Sequence, residues 1–208
     1  MAGRDRLFFA LWPDADVRNK LGAAADRIPA SAQAQRVRRD RLHLTLLFLG
    51  DMTPAQAAGI EYAAGGIAAA PFNLTIDEAG SFGNSVWWLG PSDLPPGLHA
   101  LWGAVKSTMG ATGMPFEPRP LAPHITFLRQ ADQPLGTHQI KPVEWPVTEF
   151  ALVKSTLDKR AADYEVIGRW PLNAPVPEAA PEGQTELDPD EVERQAAKAR
   201  KKARRMGK

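Results

Sequence analysis

The sequence predicts a mixed fold of helices and strands that is built from two similar halves. Strand-like apolar runs alternate with amphipathic stretches between residues 6 and 170. The order strand, helix, returning strand occurs twice, and each returning strand carries the same motif of histidine, apolar residue, threonine, apolar residue, at 43–46 (HLTL) and 124–127 (HITF). We therefore expect two lobes related by a pseudo-twofold axis, with the motifs facing each other across a groove.

The predicted elements of the first half are, in order, a strand at 6–12, a helix at 16–28, the first motif strand at 41–49 and a helix from 53 to about 69. In the first helix Val17, Leu21 and Ile28 lie on one stripe. The second helix opens with Thr53 and Gln56, which have the spacing of a capping box.

The second half follows the same order. Its predicted elements are strands at 72–78 and 85–89, a helix at 98–109, the second motif strand at 121–128, and a closing strand pair at 148–157 and 164–170. The helix has apolar residues at helical spacing, and glycines mark the turn between the first two strands.

The composition is typical of one compact domain with an appendage. The chain has 208 residues, 44% of them hydrophobic, and a net charge of +1. We find neither the run of about 18 apolar residues that spans a membrane nor a signal-peptide block after Met1. The lack of cysteine excludes disulfides and cysteine chemistry and is compatible with the cytoplasm, where we expect a monomer.

The domain is predicted to occupy residues 1–172, and residues 173–208 form a linker and a charged tail. Three prolines within 175–181 predict the linker, seven acids lie between 178 and 193, and eight bases lie between 194 and 208. Asp188 is a good N-cap, so the tail is expected to be helical or disordered. Two interpretations stay open: a solvated helix, or a basic arm that binds nucleic-acid backbone.

Each motif places an imidazole and a hydroxyl on one strand face, because residues two apart in a strand point the same way. Two imidazoles suit phosphodiester cleavage, since one removes a proton from water while the other protonates the leaving oxygen. Threonine hydroxyls donate to the phosphate oxygens, and no metal is needed. Two core histidines or a zinc site are the alternatives, although the chain lacks a zinc motif such as H-E-x-x-H.

The chain resembles the two-histidine phosphoesterase superfamily, and within it the bacterial RNA 2′,3′-cyclic phosphodiesterases, also called the 2′–5′ RNA ligase family. The resemblance covers about residues 5–172 and is carried by RLFFALWP (6–13), LHLTLLFLGD (42–51), the block around Trp87, APHITFLR (122–129) and the segment 149–172. It implies a bilobal α+β fold with antiparallel sheets lining a central cleft and helices outside.

The resemblance also implies hydrolysis of RNA or nucleoside 2′,3′-cyclic phosphates to 2′-phosphomonoesters, without cofactor or metal. It makes His43 the proton donor and His124 the proton acceptor, roles that the residues alone do not assign. Thr45, Thr126 and Arg129 would bind the phosphate. Alternatives are a different cyclic phosphate, 2′–5′ linkages, ligation, or an RNA-binding protein with vestigial activity.

Other residues are weaker candidates. Phe9 is either a base-stacking residue at the cleft wall or a core residue. The arginine-rich segment 36–41 is either a positive lip for RNA or a solvated loop. His99 and His138 are expected to be bystanders, and no chemistry is assigned to Ser155 or Tyr164.

Overall fold

The structure, a computed structural model, describes residues 5–158 and 161–174. In chain order the elements are β1 (Asp5–Leu11), α1 (Ala15–Asp26), β2 (Gln35–Arg36), a short 3-10 turn (Arg39–Arg41), β3 (Leu44–Met52), α2 (Pro54–Ala64), β4 (Phe72–Phe82), β5 (Val86–Gly90), α3 (Pro96–Ala111), β6 (Ile125–Arg129), β7 (His138–Val147), β8 (Glu149–Asp158) and β9 (Ala161–Pro171). The predicted tail lies outside the described residues.

The strands form two antiparallel sheets, which confirms the predicted α+β fold. The first sheet has the order β3-β1-β8-β9 and the second the order β2-β6-β5-β4-β7. One motif strand, β3, is at the edge of the first sheet, and the other, β6, lies in the second. A continuous apolar core includes residues of both sheets and of all three described helices.

The helices are fixed by their caps and by packing across the two halves. The Asp14 carboxylate accepts a hydrogen bond from the Val17 amide at 2.8 Å, and Thr53 and Gln56 form the predicted capping box. Helix α1 packs against β7 of the second sheet, whereas α3 packs against β3 of the first sheet as well as β4. Helices α1 and α3 therefore each pack against the sheet that contains the motif strand of the other half.

The duplication is visible in the strand registers. Thr45 pairs with Ala10 in the first half, and Thr126 pairs with Trp88 in the second. In both halves the register shifts directly after the motif threonine, so that the ladder skips the next residue of the motif strand. The skipped residue is an extra residue that interrupts the alternation of faces. As a result, both residues that follow each threonine are buried.

The sequence analysis missed two strands, β2 and β7, and misplaced some element boundaries. Strand β7 contains Pro142 and Pro146, which disfavour a strand within a sheet, but it lies at a sheet edge where proline is tolerated. Helix α2 ends at Ala64 rather than near 69, ahead of Gly65. Each motif histidine precedes its strand by one residue instead of lying within it. Among the described residues no helix is both long and apolar enough to cross a membrane.

Candidate active site

The two motifs meet in a cavity of about 630 Å³. His43 and Thr45 line it from the first motif, and His124 and Thr126 line it from the second. Arg129, at the end of β6, lines it as well. The structure thus brings together five residues that the sequence singled out from positions about 80 residues apart.

Both histidines are oriented by the same local hydrogen bond. Nδ1 of His43 lies 2.7 Å from the Arg41 carbonyl oxygen, and Nδ1 of His124 lies 2.7 Å from the Ala122 carbonyl oxygen. A carbonyl only accepts, so each Nδ1 carries the proton and donates it. Each Nε2 is consequently the ring atom left to exchange a proton with a ligand.

His43 is enclosed by three aromatic rings. The Trp12 indole stacks on the imidazole, with ring centroids 5.2 Å apart and planes 10° apart. Tyr164 approaches edge-on at 5.2 Å, and Phe8 lies at 5.1 Å. The pKa of His43 is lowered from 6.5 to about 4; burial is the largest cause, the hydrogen bond to the Arg41 carbonyl opposes it, and the nearby His124 and Arg129 add to the lowering. His43 is therefore neutral at pH 7.

His124 is less enclosed. The ring of Phe82 stands perpendicular to it at 4.8 Å, but Phe82 itself is 46% exposed. Burial lowers the pKa of His124, the positive charge of Arg129 lowers it further, and the hydrogen bond to the Ala122 carbonyl opposes both. The two imidazoles thus have unequal surroundings despite equivalent positions in the duplicated fold.

The cavity is lined by positive charge. Of the described residues that line it, none is acidic and five are arginines, at positions 6, 36, 38, 41 and 129. Arg129 is exposed, and no carboxylate within the described residues forms an ion pair with it. Such a lining attracts an anionic ligand.

The arginine-rich segment combines structural and cavity-lining roles. Arg36 donates to the Ala25 and Ile28 carbonyls at 3.0 and 2.7 Å and thereby holds the end of α1. Arg38 is paired with Asp40, and Arg41 lies 3.3 Å from Asp163. Arg36, Arg38 and Arg41 all line the cavity, so this segment borders the cleft and is not merely a solvated loop.

Of the two interpretations of Phe9, the structure supports the core residue and not the base-stacking one. Phe9 is fully buried and packs against Phe150 and Trp170 in the main core. Strand alternation turns Phe8, not Phe9, toward the cavity. His99 contacts Trp102 on α3 and His138 begins β7, and neither lines the cavity.

Sequence reasoning also missed Ser155 and Tyr164, which line the cavity as a cross-strand pair of β8 and β9. Their position follows from the pairing of β8 with β1, a contact between residues about 150 apart for which the sequence carried no signal. Alternation within β1 offered a partial signal, since it placed Phe8 and Phe9 on opposite faces.

A second cavity of about 450 Å³ continues the first on the His124 side. The two share Thr45, Phe48, His124, Thr126 and Arg129. Phe48 is 42% exposed at this junction. In residues 5–158 and 161–174, no three His, Asp or Glu side chains gather as the ligands of one metal ion would.

Two imidazoles with available Nε2 atoms, two threonines and an arginine in one cleft define the class: a phosphoesterase with two histidines. Comparison with known proteins agrees. Residues 11–88 match the family described as LigT like Phosphoesterase. The chain is 35% identical over 176 residues to an RNA 2′,3′-cyclic phosphodiesterase of Escherichia coli (strain K12), covering 83% of this chain and 99% of that protein.

A second relative, the RNA 2′,3′-cyclic phosphodiesterase of Thermus thermophilus, is 33% identical over 182 residues, which cover 80% of this chain and 90% of the relative. The fold is similar to the crystal structure of E. coli LigT complexed with NADP+, with a TM-score of 0.72 and 32% identity over 82% of this chain and 98% of that one. The chain belongs to the LigT-like phosphoesterase family.

Proposed function

We propose that this protein hydrolyses the 2′,3′-cyclic phosphate at the end of an RNA to a 2′-phosphomonoester, without a metal ion. The observation that carries the proposal is the convergence of His43 and His124, each with a donating Nδ1, on one arginine-lined cavity. The names of the relatives support the substrate class. We also expect a monomeric, cytoplasmic protein, as the sequence predicts.

In the proposed reaction a water oxygen bonds to phosphorus while the bond between phosphorus and O3′ breaks. Nε2 of His124 takes the proton of the attacking water, and Nε2 of His43 gives a proton to the departing O3′. Thr45, Thr126 and Arg129 bind the non-bridging oxygens, where negative charge increases in the transition state.

The donor role requires His43 to be protonated, although it is neutral at pH 7. An anionic cyclic phosphate beside the ring favours the imidazolium, and so does the π face of Trp12. We therefore propose that His43 takes up a proton when substrate binds.

The activity is tested by incubating the full chain with a nucleoside 2′,3′-cyclic phosphate in EDTA and H₂¹⁸O. The expected product is a 2′-monophosphate with one ¹⁸O, and His43→Ala and His124→Ala each lower kcat/KM by about 10²–10⁴-fold. The variant His99→Ala, which removes a histidine outside the cleft, serves as the control. Binding of RNA without turnover, or loss of activity in EDTA, contradicts the proposal.

The roles are separated by a cyclic substrate with sulfur in place of O3′. A thiolate leaves without a proton, so a variant that lacks the general acid recovers activity on it, whereas a variant that lacks the general base does not. Recovery in His43→Ala alone supports the proposed roles. Recovery in His124→Ala alone reverses them.

A further inference from the structure

Two contacts fix the His43 ring, and one of them comes from behind the cleft. The hydrogen bond to the Arg41 carbonyl sets the direction of Nδ1 within the ring plane, and the nearly parallel Trp12 indole sets the plane itself. Trp12 does not line the cavity, whereas His43 does. Its contact with His43 is therefore the route by which Trp12 influences a ligand in the cleft.

In the part of the second half that the structure describes, no equivalent support is found. Trp12 stands two residues beyond Ala10, the partner of Thr45, and Gly90 stands two residues beyond Trp88, the partner of Thr126. A Cβ atom at Gly90 would lie 3.0 Å from the Pro123 carbonyl oxygen and 3.2 Å from the Trp88 ring. A side chain at Gly90 would force the Pro123 carbonyl or the Trp88 ring to shift, and among the described residues no ring stacks on His124 as Trp12 stacks on His43.

We propose that Trp12 is a positioning residue for the reaction: its indole holds the plane of the His43 imidazole so that Nε2 points at the phosphate. The inference rests on the proposed function. It identifies His43 as the rigid histidine of the pair, with two constraints on its ring. The ring of His124, with one carbonyl contact and one perpendicular contact to the partly exposed Phe82 ring, is less constrained.

Tyr164 and Phe8 complete the enclosure of His43, but both line the cavity and can touch the substrate. Trp12 is therefore the residue that isolates the positioning effect. Within residues 5–158 and 161–174, the ionisable groups around His43 come from four elements. They are Arg6 of β1, Arg41 before β3, Asp163 and Tyr164 of β9, and His124 and Arg129 beside and on β6. None of them is altered by a substitution at Trp12.

The test compares Trp12→Leu, which removes the flat ring, with Trp12→Phe, which keeps one. Loss of orientation of a reacting group costs up to about 10²-fold, so we expect kcat/KM on a cyclic mononucleotide to fall about 10–100-fold in Trp12→Leu. Trp12→Phe is expected to keep most of the activity. Trp102→Leu, which removes the indole that contacts His99 on α3, is the matched control and should leave activity unchanged.

A second readout follows the His43 ring directly. The chain has only four histidines, so ¹⁵N-resolved NMR can be assigned with single His→Gln variants. The wild type should hold the proton of neutral His43 on Nδ1. Trp12→Leu should keep that tautomer, because the Arg41 carbonyl sets it, but should raise the His43 titration midpoint, because hydration of the ring outweighs the loss of the Trp12 π face.

The outcomes separate the two proposals. Inactive wild-type protein overturns the proposed function, while the NMR comparison still decides whether Trp12 fixes the ring. Equal losses in Trp12→Phe and Trp12→Leu, or an unchanged His43 titration midpoint in Trp12→Leu, overturn the positioning role. If Trp12→Leu fails to fold, Trp12→Met, which fills more of the space without a ring, decides the question with the same expected results.

Discussion

The enclosure of His43 has a consequence for stability that a pH titration can measure. In the folded protein the pKa of His43 is about 4, whereas an unfolded chain has a histidine pKa of 6.5. Between these two values the unfolded chain binds a proton that the folded protein does not bind. The free energy of unfolding therefore falls as pH decreases from 6.5 toward 4.

The expected size follows from the two values. A difference of about 2.5 pH units corresponds to about 3.4 kcal/mol once both states are protonated, and to about 2 kcal/mol at pH 5 relative to pH 7.5. His43 is only partly shielded from solvent, because one edge faces the cavity, so these figures are upper bounds.

The assay is urea-induced unfolding of the wild type and of His43→Gln at pH 7.5 and pH 5. The variant cannot take up this proton, so it should lose about 2 kcal/mol less than the wild type on acidification. His124 is present in both proteins, and its contribution cancels. His99→Gln is the control for removing a histidine from outside the cleft. Equal losses in wild type and His43→Gln would refute the enclosure of His43.

Three further predictions concern the cleft, the core and the tail. Thr126→Val should lower kcat/KM on a cyclic mononucleotide about 10²-fold with an unchanged unfolding midpoint, because only a hydroxyl donor is lost; a midpoint that falls with the activity contradicts this. Phe9→Ala should lower the free energy of unfolding by about 3–5 kcal/mol in urea, and a change below 1 kcal/mol would place Phe9 outside the core. Deletion of residues 175–208 should leave mononucleotide turnover unchanged, and it should reduce the salt dependence of RNA affinity if the tail binds RNA. The deletion begins after Ala174 because the Ala174 amide donates a hydrogen bond to the Ala69 carbonyl.

The elements of this fold were predictable where local signals agree. The capping box at Thr53 and the apolar stripe of α1 are encoded within a few residues, and the paired motifs located the cleft. Strand β7 was missed because its prolines argue against a strand unless the strand is known to lie at an edge. Edge position is a property of the assembled sheet.

The site was predictable in part for the same reason. His43 and His124 are found from the motif alone, since the motif is local. The enclosure of His43 by Trp12 and Tyr164 depends on β1 meeting β8 and on β9 pairing with β8, contacts between opposite ends of the domain. Strand alternation places Phe8 and Phe9 on opposite faces without saying which face borders the cleft, so the sequence could not decide whether Phe9 lies in the core.

The first sheet cannot be completed until almost the whole domain has been synthesised. Strand β1 is the first strand of the chain, yet one of its two neighbours is β8, near residue 153, and the sheet ends with β9. On the ribosome, one edge of β1 stays open to other chains until β8 emerges. The set of aromatic rings around His43 is completed even later, when Tyr164 is synthesised. A nascent chain therefore carries both motifs well before its first sheet is complete. A chain that ends prematurely before β8 has an aggregation-prone strand edge and is not merely a weakened enzyme.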